Sequence, residues 1–475
     1  MNGPIRKVAT FVSLLMAMLL LNLTVISTVR TESLNEDPRN RRVRDAEFSR
    51  NRGAILVGNQ PISQSIERSG RFPYIRSYPN PEIWAPVTGW YSYDYARSGL
   101  EQSFNAELAG TSSEQSVGRI VDVLTGRRSQ GANISTTLHA GAQQAAMRAL
   151  GEMRGAAVAM NYETGEILAL ASTPSYDPNE LSTVDLTAER EAWDRLLNAK
   201  DEPLKNRATR EVYPPGSTFK LITAAAALED GLVPSSMVDS PASLRLPNSS
   251  RSMGNSTNCG GTRVTLEQAL KTSCNTAFGN LGISLGGEKL QAMAEKFGFN
   301  QEQSIDIAAA TSRFPAELDQ AQAALTAIGQ FDVAASPLQM VQVAAAIAND
   351  GVMMKPYLVS TVTNKDLTVL SAASPSRLGQ PISRSTAELL QQMMVATVED
   401  GTGRPAQIDG VVLGGKTGTA QSAPDRPPYA WFVGYAEDPK VAVVAFVENA
   451  DIERNDISGG RLAAPIFKAI VEALR

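Results

Sequence analysis

The stretch YPPGSTFKLITAAAALEDG, residues 213–231, places a serine three residues before a lysine at the start of an alanine-rich segment. Two prolines and a glycine precede Ser217, and Gly231 follows the last apolar turn, as expected of a helix start and a helix end. The residues after Lys220 are apolar nearly all round, which is typical of a helix inside a core. Because side chains three positions apart share a helix face, Ser217 and Lys220 should point the same way.

This serine–lysine pair is a candidate nucleophile and base. Burial lowers the pKa of a lysine, and a neutral amine can take a proton from a neighbouring hydroxyl. The pair is a weak signal by itself, since a capping serine followed by a lysine that extends towards water gives the same pattern. The rest of the sequence has to distinguish the two interpretations.

The bulk composition excludes several classes of function. The chain has 475 residues, 43% of them hydrophobic, and a net charge of −5, which fits a globular protein of about two or three domains and argues against a nucleic-acid surface. The sequence shows no glycine-rich phosphate loop and no metal-ligand cluster, so we expect no nucleic-acid partner, cofactor or metal. The single histidine, His139, argues against a Ser-His-Asp hydrolase and is expected to be an ordinary polar residue near a strand end.

The N-terminus carries a candidate membrane anchor. Val8 to Val29 is a run of 22 residues without a charge, long enough to span a bilayer, and no small-x-small cleavage site follows it. Basic residues lie on both sides, and their count alone points to the opposite orientation. Long domains translocate largely regardless of charge. This weakens the objection from the charges. We expect a single-pass protein of the cell membrane, and the chemistry of the motifs described below places the bulk of the chain outside the cytoplasm.

The pattern along the chain predicts an α+β fold. A polar linker and a small mixed domain are followed by a strand, a helix and a hairpin, then by a largely helical middle at about 187–350, and finally by strands and a last helix. Strands at both ends of this region imply one antiparallel sheet with a helical lobe beside it. The predicted divisions are a tail and transmembrane helix (1–30), a linker and N-terminal domain (31–130) and a catalytic domain (131–475).

Two further motifs follow the serine–lysine pair. Ser273 and Asn275 form a Ser-x-Asn in KTSCNTAFG, and residues 416–419 form a Lys-Thr-Gly-Thr on a predicted strand. Alone, the first could be a turn and cap between helices, and the second a bulged edge strand. The ordered triple Ser-x-x-Lys, Ser-x-Asn and Lys-Thr-Gly is the signature of penicillin-binding proteins and related β-lactamases.

The sequence resembles class B penicillin-binding proteins, in particular their actinobacterial members, over nearly the whole chain. The N-terminal domain has RGAI (residues 52–55) and GLE (99–101), and YPNPEIWAPVTGWYS (78–92) suggests the actinobacterial branch. TGEILALASTPSYDPN (164–179), Gly329-Gln330 and AWFVGYA (430–436) also match. The resemblance implies a penicilloyl-serine transferase domain, with a central antiparallel sheet and helical lobe, behind a dimerisation-like pedestal. His139 stands where the family usually has a different polar residue.

The resemblance also implies a role for each motif residue in acyl transfer. Ser217 would attack the penultimate D-Ala of a peptidoglycan stem peptide, with Lys220 as the base and Lys416 as the cation that keeps Lys220 neutral. Ser273 would relay a proton to the departing D-Ala, and Asn275 would orient Lys220 and the substrate. The backbone N–H groups of Ser217 and Thr419 would form the oxyanion hole. The expected substrate-binding residues are Lys416, Thr417, Gly418 and Thr419.

Several alternatives share this triad. A D,D-carboxypeptidase would use the same site with water in place of an amine, and a class A β-lactamase would add a Glu-x-x-Leu-Asn downstream of the serine. Here the nearest likeness is Asp194 to Asn198, upstream and with an aspartate. A β-lactam sensor would need several spans. The expectation is a D,D-transpeptidase that β-lactams inhibit, and the resemblance implies a multi-pass glycan polymerase as its partner.

Cys259 and Cys274 are the only cysteines of the chain. An even pair outside the membrane favours a disulfide, whereas the same pair in the cytosol would stay reduced. A pair of buried thiols remains the alternative. Because Cys274 stands between Ser273 and Asn275, a bridge would hold the loop that presents both side chains.

Overall fold

The structure is a computed structural model that describes residues 2–30, 34, 41–125, 130–303, 305–421 and 426–475. Part of the predicted linker, residues 31–33 and 35–40, lies outside the described residues, as do residues 126–129. The predicted α+β fold class is confirmed: mixed helices and strands surround an antiparallel sheet, after a smaller N-terminal domain and one long apolar helix.

The N-terminal part begins with an apolar helix. Within Gly3–Thr28 a stretch of 18 residues has a mean hydropathy of 2.2, so the helix is long and apolar enough to cross a membrane. A shorter helix, Arg41–Phe48, then contributes Phe48 to a cluster with Phe72, Tyr91 and Tyr93. The elements of this part, in chain order, are α1 (Asn2–Thr28), α2 (Arg41–Phe48), β1 (Ile55–Val57), β2 (Gln60–Glu67), β3 (Tyr74–Ser77), α3 (Pro81–Thr88), α4 (Gly99–Ser103), α5 (Asn105–Leu108), α6 (Ser116–Thr125) and β4 (Asn133–Thr136).

The larger domain follows the predicted order of strands and helices, except that the predicted helical middle also contains four short strands between residues 237 and 265. Its first elements are α7 (Ala140–Leu150), β5 (Arg154–Asn161), β6 (Ile167–Thr173), α8 (Leu186–Leu197), α9 (Lys220–Glu229), β7 (Met237–Asp239), β8 (Ser243–Arg245), β9 (Ser252–Gly254), β10 (Arg263–Thr265), α10 (Leu266–Lys271), α11 (Asn275–Lys296), α12 (Gln320–Thr326) and α13 (Pro337–Ala348). The remaining elements are β11 (Met353–Met354), β12 (Val359–Thr363), β13 (Val369–Ala372), β14 (Arg377–Gly379), α14 (Arg384–Asp400), β15 (Leu413–Ala420), β16 (Tyr429–Ala436), β17 (Val441–Asn449) and α15 (Ala464–Ala473).

The central sheet is antiparallel and has the strand order β15-β16-β17-β5-β6. Alternate residues of β17 belong to different cores: Val444 and Phe446 pack towards the helical lobe, whereas Val443 and Ala445 pack under α7 and α15. This is the period-two alternation of a strand buried on both faces. Helix α13 contacts β5, β16 and β17 on the lobe side. Strand β15, with the Lys-Thr-Gly-Thr, lies at one edge of the sheet.

A second sheet joins the two domains. Its order is β13-β12-β4-β1-β2-β3, and β4 pairs in parallel with β1 and antiparallel with β12. Strand β4 was predicted from its sequence, but its partners come from positions about 80 residues before and 225 residues after it in the chain, as in Ile55 with Ile134 and Val362 with Ile134. The N-terminal domain is therefore continuous with the larger one through backbone hydrogen bonds.

The RGAI and GLE motifs meet in a buried ion triad. Glu101 accepts hydrogen bonds from Arg52 Nη2 at 2.8 Å and from Arg76 Nε at 2.6 Å, and all three side chains are at most 1% exposed. Ser63 Oγ donates to the same carboxylate at 2.7 Å. Burial alone would raise the pKa of Glu101, but the charges of Arg76 and Arg52 outweigh it and lower this pKa to about 2.

Replacing Glu101 with glutamine should destabilise the protein strongly, because two buried guanidinium groups would lose their counter-charge. The expected loss in the free energy of unfolding is about 3–5 kcal/mol, measured by thermal or denaturant unfolding of the chain without α1. The control is Glu388→Gln, which removes an exposed partner of Arg384 and should change stability little. Equal effects of the two substitutions would contradict this account of the triad.

Candidate active site

Ser217 lies in a 3-10 turn, Gly216–Thr218, directly before α9. Thr218 Oγ1 donates to the Pro215 carbonyl at 2.7 Å, and Gly216 N donates to Gly329 O at 3.0 Å. Gly216 has φ +53°, and a Cβ there would stand 2.9 Å from the Cβ of Ala420. The turn therefore needs glycine, because it is clamped between β15 and the loop after α12.

Lys220 is fully buried at the first position of α9. Its Nζ donates to the carbonyl oxygen of Ser273 and to Oδ1 of Asn275, both at 2.7 Å, and lies 3.3 Å from Oγ of Ser273. The predicted Ser-x-Asn thus meets the predicted lysine across the start of α11.

Lys416, also fully buried, reaches the same hydroxyl from β15. Its Nζ donates to Ser273 Oγ at 2.8 Å and to the Thr417 carbonyl at 2.9 Å. Ser273 itself has φ +59°, a left-handed conformation that is uncommon for a residue other than glycine and is found at functional sites. The hydroxyl of Ser273 therefore lies between two buried amines.

The burial of these amines sets their protonation. Burial, and then the charge of Lys416, hold the pKa of Lys220 well below its ordinary value. Burial lowers the pKa of Lys416 to about 7. Two ammonium groups that share one hydroxyl in a buried seam repel each other, so the state with one neutral amine is favoured. The site therefore holds Lys220 as a neutral base at lower pH than an ordinary lysine allows.

An open cleft of about 1170 Å³ gives access to this constellation. Ser217, Ser273, Asn275, Thr417 and Thr419 line the cleft, whereas Lys220 and Lys416 lie behind its wall. The structure thus brings the predicted residues of all three motifs together. Ser217 and Thr419, whose backbone N–H groups are expected as oxyanion donors, both line the cleft.

Gly418 is the point where the strand and the nucleophile turn touch. A Cβ there would stand 2.9 Å from Cγ2 of Thr218 and 3.2 Å from Cβ of Trp431. Gly459 lies on its other side, and a Cβ on Gly459 would stand 2.6 Å from the Gly418 carbonyl oxygen. Gly418 therefore sets the spacing between β15 and the turn and has no side chain to bind substrate.

Sequence reasoning missed several residues that line the cleft. Thr402 Oγ1 accepts a hydrogen bond from Thr417 Oγ1 at 2.7 Å and extends the row of hydroxyls beside Lys416. The surrounding Gly-Thr-Gly, residues 401–403, was a readable signal of a tight backbone approach. The cleft is also lined by Gln330, which belongs to the matching Gly329-Gln330, and by Arg251, Phe331, Asn455 and Arg461, for which no motif gave a signal.

Cys259 and Cys274 form a disulfide, with Cα atoms 5.3 Å apart. It ties the loop before β10 to the position between Ser273 and Asn275. The alternative of two buried thiols is not what the structure contains.

Two other residues considered from the sequence are not among those that line the cleft. His139 is the N-cap of α7, where its Nδ1 accepts a hydrogen bond from Ala142 N at 3.2 Å. Asp194 lies on α8.

Comparison with known proteins agrees with this geometry. A family model described as the penicillin binding protein transpeptidase domain matches residues 155–472, well over half of the chain. The chain belongs to this family. A second model, the penicillin binding protein A dimerisation domain, matches residues 52–134. The predicted resemblance to actinobacterial class B penicillin-binding proteins is confirmed.

Relatives resemble the chain over its whole length. It is 43% identical to peptidoglycan D,D-transpeptidase PbpA of Mycolicibacterium smegmatis and 40% identical to PbpA of Mycobacterium tuberculosis, over 100% of this chain and 99% of each relative. The structure of M. tuberculosis penicillin-binding protein A as a ceftriaxone acyl-enzyme superposes with a TM-score of 0.87 at 40% identity, covering 90% of this chain and 99% of that one. Family membership and fold thus extend through the pedestal.

The disulfide should stabilise the loop that holds Ser273 in its left-handed conformation. Alkylation of the unfolded protein should add no mass before reduction and two groups after it. Replacing both cysteines with serine should cost about 3 kcal/mol in the free energy of unfolding, since the bridge closes a loop of 15 residues. Reduction should also slow penicillin acylation while the fold around α9 persists. Two alkyl groups added before reduction would contradict the bridge.

Proposed function

We propose that this protein is a serine-type peptidoglycan D,D-transpeptidase, which cross-links stem peptides through an acyl-enzyme on Ser217 and is acylated by β-lactams. The observation that carries the proposal is the hydroxyl of Ser273 between two buried amines, next to the turn that bears Ser217. The family membership and the D,D-transpeptidase names of the relatives support it.

In the first half-reaction, Ser217 Oγ attacks the carbonyl carbon of the penultimate D-Ala. Lys220, neutral because it is buried beside Lys416, takes the hydroxyl proton. Asn275 Oδ1 holds the amine in place. As the C–N bond breaks, Ser273 passes a proton to the leaving D-Ala and is reprotonated from the lysine pair, so that the resting protonation state is restored.

The developing negative charge and the substrate carboxylate are stabilised by different groups. Backbone N–H groups of Ser217 and Thr419 form the oxyanion hole, assisted by the N-terminal end of α9. The terminal carboxylate of the donor binds in the row formed by Lys416, Thr417 and Thr419, and Thr402 extends this row through its hydrogen bond to Thr417. Gly418 contributes spacing to this part of the site.

In the second half-reaction, an amine of an acceptor stem peptide attacks the ester and completes the cross-link. Water is the competing nucleophile, and its attack would give the D,D-carboxypeptidase product. Among the residues described as lining the cleft there is no aspartate or glutamate to activate water. A β-lactam acyl-enzyme should therefore persist, since its ring-opened leaving group stays attached.

The same proposal includes a location and an arrangement of the chain. Helix α1 crosses the cell membrane once and residues beyond it lie outside, where peptidoglycan is. The proposed divisions are 1–30 for the tail and anchor, 31–130 for the linker and pedestal, and 131–475 for the catalytic domain. A multi-pass glycan polymerase is the proposed partner, on family resemblance, and would supply the glycan strands whose peptides are cross-linked.

Replacing Ser217 with alanine should abolish the penicillin adduct. Intact-mass analysis of the extracytoplasmic part with a fluorescent penicillin should show one adduct on the natural sequence and none on Ser217→Ala. Ser256→Ala, at another serine of the cleft wall, serves as the control and should keep the adduct. An adduct that persists in Ser217→Ala would refute the assignment of the nucleophile.

The rate of acylation should rise with pH through the lowered pKa of Lys220, because only the neutral amine accepts the serine proton. Removing the charge of its neighbour by Lys416→Gln should raise the Lys220 pKa and move this rising limb to higher pH. Stopped-flow measurement with a fluorescent penicillin gives the two pH profiles.

Lys220→Arg should reduce acylation by about 10²–10⁴-fold, because arginine stays protonated. The same stopped-flow measurement gives this rate. Near-normal acylation by Lys220→Arg would overturn the role of Lys220 as base.

A further inference from the structure

Phe331 is an exposed aromatic residue in an unfavourable backbone conformation. Its φ is +68° and 43% of the residue is exposed. A bulky side chain at positive φ is an outlier, and such strain persists only where the surrounding structure or a function requires it. A half-exposed ring also leaves apolar surface in water. Neither feature helps this residue to stabilise the fold.

The path of the chain does not require a side chain at this position. Helix α12 ends in a Schellman motif, in which Gly329 N donates to Thr326 O and Gln330 N donates to Leu325 O. Gly329, at φ +71°, already supplies the left-handed residue that this motif needs. Phe331 comes after the motif is complete, and a glycine would adopt its backbone conformation without strain.

The location of Phe331 connects it to the nucleophile. It lines the same cleft as Ser217, next to the apolar side chains of Leu325 and Ile328. Two residues before it, the Gly329 carbonyl accepts the hydrogen bond from Gly216 N at 3.0 Å. Phe331 therefore lines the cleft from a segment that is hydrogen-bonded to the turn that carries the acyl group.

We propose that Phe331 is a specificity-determining residue, which packs against the aliphatic side chain of the donor stem-peptide residue that precedes the two D-alanines. The proposal rests on the proposed transpeptidase function and deepens it. Leu325, Ile328 and Phe331 are apolar residues at the end of α12 that line the cleft, and apolar side chains match a methylene chain. Binding covers the exposed ring, which accounts for its position in a strained turn.

The experiment compares two thioester donors, one whose acyl part is N-acetyl-D-alanine alone and one that carries the whole stem peptide up to that alanine. Phe331→Gly removes ring and strain, Phe331→Ala removes the ring and keeps a Cβ, and Phe331→Tyr keeps the ring. Leu367→Gly is the matched control, because Leu367 also has positive φ, +66°, and is 76% exposed but lies in the turn between β12 and β13.

The expected result is a loss of about tenfold in acylation efficiency for the long donor in Phe331→Gly and Phe331→Ala. The short donor should be used within about twofold of the natural rate, and Phe331→Tyr and Leu367→Gly should keep both activities. Phe331→Gly should melt at the same or a higher temperature. Equal losses for both donors, no loss for either, or a melting temperature lowered by more than about 4 °C would overturn the inference. If neither the thioesters nor penicillin acylates the unsubstituted protein, the proposed function is overturned instead.

Discussion

The burial of two lysine amines around one serine hydroxyl is the constraint on which the rest of this structure depends. Lys220 comes from the start of α9 and Lys416 from an edge strand, and both meet Ser273 Oγ in a seam that excludes most water. A buried cation needs hydrogen-bond acceptors. They are supplied by the carbonyls of Ser273 and Thr417 and by the Asn275 amide. The helical lobe and the sheet are thereby fixed relative to one another.

The close approach of backbone to backbone follows from that seam. Gly216 faces Ala420, and Gly418 touches Thr218 on one side and Gly459 on the other, at distances that leave no room for a Cβ. Two lysines that must share one hydroxyl cannot tolerate a wider gap between α9 and β15. The glycines at these positions therefore act on catalysis through spacing. This gives Gly418, which has no side chain to offer a substrate, a physical reason to stand inside the Lys-Thr-Gly-Thr.

The parts of the site that the sequence predicted are those written in local motifs. Ser217 and Lys220 are one helical turn apart, and Ser273 with Asn275 brackets a helix start, so residue type and spacing carried the information. Thr402 and Phe331 were not predicted as site residues, because their roles depend on which loops fold over the cleft. The same holds for β4, which the pattern identified as a strand although its pairing with β1 and β12 depends on distant segments.

The strained residues of the cleft have a common explanation. Ser273 at φ +59° lies between the two amines, and Phe331 at φ +68° lies on the wall beside the nucleophile turn. Both backbone conformations are unfavourable for a residue other than glycine, and fixed neighbours hold each of them. Ser273 precedes Cys274, which the disulfide restrains. Phe331 follows the completed helix end at Gly329 and Gln330. Rigid surroundings let a site keep side chains where a relaxed backbone would not place them. Such a site is preorganised for a substrate that contacts Ser273 and Phe331. An acyl group that makes no contact with these side chains does not benefit from the preorganisation.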